Sequence, residues 1–385
     1  MPVRREAEKR LKYLARTFRS VAVIGPRQSG KTTLCKMVFP NKPYVSLENP
    51  TTLQFAQTDP EGFLAQYPKG AIIDEAQRMP QLFSYLQQLL DDTKSRGLFI
   101  VTGSNNFLMQ QNITQSLAGR IGYLTLLPFS ITEMKANKLL KSQWHENAFR
   151  GFYPEILIKK IKPVVWYSAY TKTYIERDVR QIKNIENLSL FTKFIHLCAG
   201  RAAQLININS LANDCGIDNK TVQSWLGILE SSFIIYQLKP YFKNFNKQIA
   251  KSSKLYFYDT GLLCHLLHIS TGKQLLSSLY KGPVFENFII SEKIKHKENT
   301  GLNIDFFFWR DKTGNEVDLV IDNHQSISIA EIKSAETINS SFWKTLYYFE
   351  KLNGKPLEKQ LYYGGKENQK RTGKLQITGW ENSIE

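Results

Sequence analysis

The chain has 385 residues, with 51 Lys and Arg against 34 Asp and Glu, a net charge of +17, and side chains that are 42% hydrophobic and 12% aromatic. That hydrophobic content excludes an intrinsically disordered chain, and the length predicts two or three domains, each burying its own core. No stretch approaches the ~18 apolar residues that a membrane span needs, and the charged N-terminus lacks the apolar core of a secretory signal, so no membrane association is expected.

Cys35, Cys198, Cys215 and Cys264 lie far apart and form no C-x-x-C pair, which argues against a zinc site or a disulfide framework and predicts a cytoplasmic protein. The charge excess points to a polyanionic partner, with a solvated lysine-rich surface as the plain alternative. It is unevenly spread. Residues 1–150 carry 20 basic and 11 acidic side chains, residues 151–280 carry 16 and 8, and residues 281–385 carry 15 of each. Within the last segment, residues 301–350 hold 4 basic and 8 acidic side chains.

In chain order, Val21–Ile24 is the apolar run of a strand buried on both faces. It leads into Gly25-Pro26-Arg27-Gln28-Ser29-Gly30-Lys31-Thr32, which is G-x-x-x-x-G-K-T, and then a helical stretch from Thr33. Such a loop wraps phosphates with its backbone N–H groups. Lys31 reaches the β- and γ-phosphates of ATP, and Thr32 ligates Mg²⁺. A second buried strand, from Gly70, ends in Asp74-Glu75. Asp74 is the expected second Mg²⁺ ligand, and Glu75 is placed to polarise the attacking water, which favours a hydrolase over a kinase.

A strand over Leu98–Thr102 is followed by Ser104 and Asn105, either of which could sense the γ-phosphate or simply cap a helix. Tyr44–Glu48 and Tyr123–Leu126 read as further strands, and their alternation with helices predicts a parallel sheet. Arg120, just before the last strand, is the candidate cation for the γ-phosphate, acting in cis or across the interface of a homo-oligomer; a plain surface arginine is the alternative.

In the middle segment, Ser210–Ile217 and Asp218–Leu229 read as helix, glycine turn and helix, with Leu211, Ile217, Val222, Leu226 and Leu229 on one face. The opposite face exposes Asn219, Lys220 and Gln223, types suited to base edges and phosphates. Two strands, Phe233–Leu238 and Lys254–Tyr258, flank a loop carrying Lys243, Lys247 and Lys251. This is a winged-helix pattern, whose basic tip suits nucleic acid, DNA first; protein interaction is the competing use.

In the last segment, Ile304–Trp309 and Glu316–Ile321 form a hairpin, and Ser326–Lys333 is a third strand. Asp318, Glu331 and Lys333 form D-x(12)-E-x-K and converge if the strands pair. Asp318 and Glu331 could hold a hard cation such as Mg²⁺, Glu286 from a preceding helix could complete the set, and Lys333 would orient a hydroxide. Glu316 shares the face of Asp318 but reads equally as a solvated hairpin charge.

Taken together, Gly25–Thr33, Ile72–Gln77, Thr102–Asn105, Leu117–Ser130, Thr173–Arg180, Tyr258–Gly261, Phe285–Asn287 and Phe308–Arg310 resemble the bacterial and archaeal AAA-type ATPases that end in a domain of unknown function. The resemblance implies an α/β P-loop ATPase domain with a parallel sheet at residues 1–150, a helical, winged-helix domain at 151–280, and an α/β PD-(D/E)xK nuclease-like domain at 281–385. Where that family usually reads Gly-Gly-Phe/Tyr-Pro-Glu, this chain has Arg150-Gly-Phe-Tyr-Pro-Glu155. The function expected is ATP binding and hydrolysis coupled to nucleic-acid binding, with or without metal-dependent cleavage.

Overall fold

The structure is a computed structural model that describes residues 3–104, 117, 119–174, 187–242 and 252–384. The chain forms two compact units. The first comprises Met1–Asn137, Ser231–Phe233 and Glu298–Gly301; the second comprises Lys138–Glu230, Ile234–Lys297 and Leu302–Glu385.

The first unit is built on β1 (Ser20–Ile24), β2 (Tyr44–Ser46), β3 (Ile72–Asp74), β4 (Phe99–Gly103) and β5 (Ile121–Thr125), in the order β2-β3-β4-β1-β5. All pairings are parallel. Helices follow the strands, so β1 is buried along its whole length, which is why its sequence carries no polar alternation. Val21, Val23, Ile72, Ile100 and Leu124 from the sheet pack with Leu11 and Leu14 of the helix Glu8–Thr17. Because every strand runs the same way, all their C-terminal ends open on one edge, where ligands of such sheets bind.

The second unit holds eight strands: β6 (Ile235–Pro240), β7 (Lys254–Phe257), β8 (Asp305–Arg310), β9 (Glu316–Asp322), β10 (Ile327–Lys333), β11 (Glu358–Tyr363), β12 (Gln369–Arg371) and β13 (Leu375–Gly379). Their order is β12-β13-β11-β10-β9-β8-β6-β7. The hairpin β8–β9 and its antiparallel neighbour β10 occur over the residues that the alternation predicts. β6 and β7, from the middle segment, extend the sheet of the last one through the parallel pairing of Lys239 and Pro240 with Phe307 and Phe308. Trp309, Val317, Val320, Ile329, Leu361 and Ile377 form the core with Leu346 and Phe349 of the helix Lys344–Asn353.

The unusual motif at Arg150–Glu155 has a packing role. Gly151 has φ +70°, and a Cβ on it would lie 1.8 Å from the Tyr167 hydroxyl and 3.0 Å from Gly261 Cα. Asp259 accepts from the Phe152 backbone N–H at 2.8 Å and from the Tyr167 hydroxyl at 2.6 Å. Two sequence-distant motifs are thereby joined by one buried carboxylate. Arg150 itself donates to the Leu139 carbonyl at 2.5 Å.

Candidate functional site

β1 ends where the loop 25–30 begins, and the helix Lys31–Val38 follows. Gly25 adopts φ +148° and packs so tightly that a Cβ would sit 2.2 Å from the Leu126 carbonyl oxygen. Gln28 and Gly30 also have positive φ, at 63° and 94°. These conformations curl the backbone into a cradle ahead of the helix N-terminus. Lys31 folds over it, donating to the carbonyls of Gly25 at 3.0 Å and Pro26 at 2.8 Å. Burial pushes the Lys31 ammonium down to about 8, against the pull of Glu75 and Asp74. The Ser29 hydroxyl is buried with no partner among the described residues. Thr33 is exposed and Arg27 half-buried on the same loop.

Arg5, which lies outside the G-x-x-x-x-G-K-T motif, holds the cradle from behind. It is 6% exposed and donates to the Ser29 carbonyl at 2.7 Å, the Leu127 carbonyl at 2.7 Å and Glu133 Oε1 at 2.8 Å. Its only sequence signal was its place among the charges of the N-terminus, which is too common to single out.

At the neighbouring strand ends, Thr32 Oγ1 donates to Asp74 at 3.0 and 3.1 Å, and the Tyr44 hydroxyl donates to Asp74 Oδ2 at 2.8 Å. Thr102 Oγ1 also binds Asp74. Glu75 sits in the left-handed region, φ 55°, which turns its carboxylate to Gln77 and to Ser104 Oγ at 3.1 Å. Glu75, Ser104 and Gln77 thus form one polar group beside Asp74. The oxygen pair Thr32 and Asp74 suits Mg²⁺, and the cradle with its buried lysine and orphan serine suits a polyphosphate. When bound, Mg²⁺ neutralises charge on the β- and γ-phosphates. Thr32 and Asp74 would hold it, Lys31 would grip the phosphates, and Glu75 would orient the attacking water.

Arg120 is not part of this group. It precedes Ile121, which pairs with Ser20 at the start of β1, whereas the cradle follows Ile24 at its end. Arg120 therefore lies at the far edge of the sheet, ion-paired with Asp91, so action in cis on the γ-phosphate is corrected by the strand direction.

The second unit carries the other candidates. The helices Ile208–Cys215 and Asn219–Ser231 are separated by Gly216, φ +79°. Asp218 caps the second helix, accepting from the N–H groups of Lys220 at 2.8 Å and Thr221 at 2.9 Å. Val222, Trp225, Leu226 and Leu229 are buried, Trp225 edge-on to Phe191 and Phe194, while Asn219, Lys220 and Gln223 are exposed. Asn219 donates to Asn209 at 2.8 Å. β6 and β7 pair as a hairpin. Lys243, Lys247 and Lys251 lie outside the described residues, as does Asn105.

At the edge of β9 and β10, Asp318 accepts from the Ile332 N–H at 2.8 Å and from Lys333 at 3.1 Å, and Lys333 reaches Glu331 at 2.5 Å. Burial and the neighbouring Asp318 push Glu331 up to about 9; against its burial, Lys333 and Lys254 hold Asp318 below the usual carboxylate range. Among the described residues, the carboxylates grouped closely enough to share one ion are Glu286, Glu316 and Asp318, with one oxygen from each within 4.8 Å of the others. Glu331 is not in that set, and Glu316 replaces it. The signal was present in the sequence, since Glu316 stands two residues before Asp318 on the same strand face.

The interior of the set is occupied by this chain's own cation. Lys254 donates to Glu286 Oε1 at 2.9 Å and to Glu316 Oε1, and the Tyr256 hydroxyl binds Glu286 Oε1 at 2.6 Å. Mg²⁺ needs carboxylate oxygens at about 2.0–2.1 Å in a near-octahedral shell that retains waters. Oxygens already committed to a buried ammonium do not provide that shell, so these residues as arranged do not fit Mg²⁺.

Residues 17–135 match a family described as an AAA domain. Residues 141–273 match a domain of unknown function (DUF8612), and residues 281–382 match another (DUF4143). A protein of Mycobacterium tuberculosis described as uncharacterized is 28% identical over 323 residues, 83% of this chain and 71% of that one. A Haemophilus influenzae protein, also described as uncharacterized, is 22% identical over 182 residues, 44% of this chain and 45% of that one. A solved structure of a Walker-type ATPase from Pyrococcus abyssi aligns with 68% of this chain and 95% of its own at 14% identity, TM-score 0.46. The AAA match and the cradle geometry together support an AAA-type P-loop ATPase module that binds and hydrolyses ATP. No described helix is long and apolar enough to cross a membrane.

Proposed function

We propose that the protein is an ATP-hydrolysing switch in the cytoplasm whose nucleotide state governs how its winged-helix region holds nucleic acid, DNA first. The observation that carries the nucleic-acid half is the face of the helix Asn219–Ser231, where Asn219, Lys220 and Gln223 stand exposed on a helix fixed from below by Val222, Trp225, Leu226 and Leu229. That arrangement supports contact of the helix N-terminal residues with base edges and phosphates. The +8 balance of residues 151–280 gives the long-range attraction.

The test is a salt series of duplex binding with wild type and with Asn219, Lys220 and Gln223 all changed to Ala. Wild type should give a steep negative slope of log K on log salt, and the variant a weaker affinity with a shallower slope. A flat line for wild type would overturn the reading.

A second reading is a non-cutting switch whose nuclease-like PD-(D/E)xK domain grips DNA or a protein partner. The commitment of Glu286 and Glu316 to Lys254 favours it. Incubating the protein with ATP and DNA in Mg²⁺ or Mn²⁺ tests it, and cut DNA under either ion would sink it. Arg120 retains a role only in trans, across the interface of a homo-oligomer.

A further inference from the structure

The carboxylate group on β8–β10 and the helix Lys281–Thr300 is neutralised from within. Four acids, Glu286, Glu316, Asp318 and Glu331, meet three cations. Lys254 pairs with Glu286 and Glu316, Arg310 with Glu316 at 3.1 Å, and Lys333 with Asp318 at 3.1 Å and Glu331 at 2.5 Å. The Lys254 side chain is 2% exposed, and its ammonium lies over the Phe308 ring, 5.6 Å from the ring centroid. Its backbone is fixed on both sides, paired with Leu238 on β6 and bridged to Leu205. Nearby, Asn287 clamps β7, accepting from the Phe257 N–H at 2.7 Å and donating to the Phe257 carbonyl at 2.8 Å. Glu286 precedes that clamp, so the register that seats Asn287 also delivers Glu286 to Lys254.

We propose that Lys254 is the resident cation of this cluster: its ammonium holds Glu286 and Glu316 where a divalent ion would otherwise bridge them to Asp318, so the cluster closes without metal. A buried acid group needs compensation, and an ammonium carried by the chain supplies it permanently, whereas a bound ion would do so only at sufficient concentration. The cluster accepts a divalent ion only when Lys254 is removed. This inference is independent of whether the protein holds nucleic acid.

The test uses the whole 385-residue chain, nucleotide-free, and Mn²⁺ as the probe, followed by titration calorimetry and thermal melting. Wild type should show no Mn²⁺ site that depends on Asp318. Lys254→Met should gain one Mn²⁺ per chain, with a melting midpoint that rises on adding Mn²⁺. Adding Asp318→Asn to Lys254→Met should abolish both effects. Lys254→Arg, which keeps the cation, should bind as wild type does. If Lys254→Met does not fold alone, recovery of its folded circular-dichroism signal with Mn²⁺ supports the proposal and failure to recover overturns it. A wild-type Mn²⁺ site lost in Asp318→Asn, or a folded Lys254→Met that binds none, also overturns it.

Discussion

Arg5 donates a hydrogen bond to the backbone carbonyl of Ser29 at 2.7 Å, so a residue before the first helix sets the position of the phosphate-binding loop. The same guanidinium satisfies Glu133, whose side chain is 2% exposed. Arg5→Ala should destabilise the protein by about 3–5 kcal/mol, because it strands a buried carboxylate. Adding Glu133→Gln should recover part of that loss in a urea melt, while the Michaelis constant for ATP stays raised. An Arg5→Ala protein with unchanged stability and unchanged Michaelis constant contradicts the role.

Glu75 stands beside Ser104 and Gln77 rather than in the cradle itself, so binding and hydrolysis should separate. Glu75→Gln should retain ATP affinity and lose about 10²–10⁴-fold in turnover. Lys31→Ala should lose the binding as well. Equilibrium binding of a fluorescent ATP analogue, set beside phosphate release, distinguishes the two variants.

Arg120 lies at the sheet edge away from the cradle, paired with Asp91. Arg120→Ala should therefore leave ATP affinity unchanged in dilute protein. An affinity loss there would mean that Arg120 reaches its own chain's nucleotide. A turnover loss that grows with protein concentration would place it at a subunit interface.

Lys293 is pushed down to about 8 by burial, its ammonium 4.6 Å from the Tyr362 ring centroid. Its folded value lies below the usual lysine value of 10.5, so the unfolded chain holds the proton more tightly. The resulting penalty is complete below about pH 8, and stability from this group rises as pH climbs from about 8 to about 10.5. Lys293→Met should remove that rise and stabilise the protein by roughly 1–3 kcal/mol at pH 7. Urea melts of both proteins between pH 7 and pH 10.5 check this; parallel pH profiles would rule it out.

The phosphate loop was legible because its chemistry is local: eight consecutive residues after an apolar strand dictate the cradle. The hairpin β8–β9 and strand β10 were legible for a similar reason, since short apolar-rich runs bounded by turn residues mark the strands, although the face of β9 that carries Asp318 is buried too. The far position of Arg120 was legible too, because in the parallel sheet that the sequence predicts a residue before one strand and a loop after another lie at opposite edges. Lys254 was hidden. It lies 32 residues from Glu286 in sequence, and the clamp of Asn287 on β7, with the Tyr256 hydroxyl, brings the two together. β11 and β13 carry short mixed runs, and their pairing is set by the long-range packing of Leu361 and Ile377 against Trp309 and Phe349.

The central claim is that bound nucleotide changes the grip on DNA. The most direct measurement is fluorescence anisotropy of a labelled duplex with Glu75→Gln held in ATP and with wild type held in ADP, at several salt concentrations. The account predicts affinities that differ by about tenfold or more between the two states, a coupling of about 1.4 kcal/mol, each with a steep negative salt slope. Equal affinities in both states, or binding that ignores salt, would contradict it.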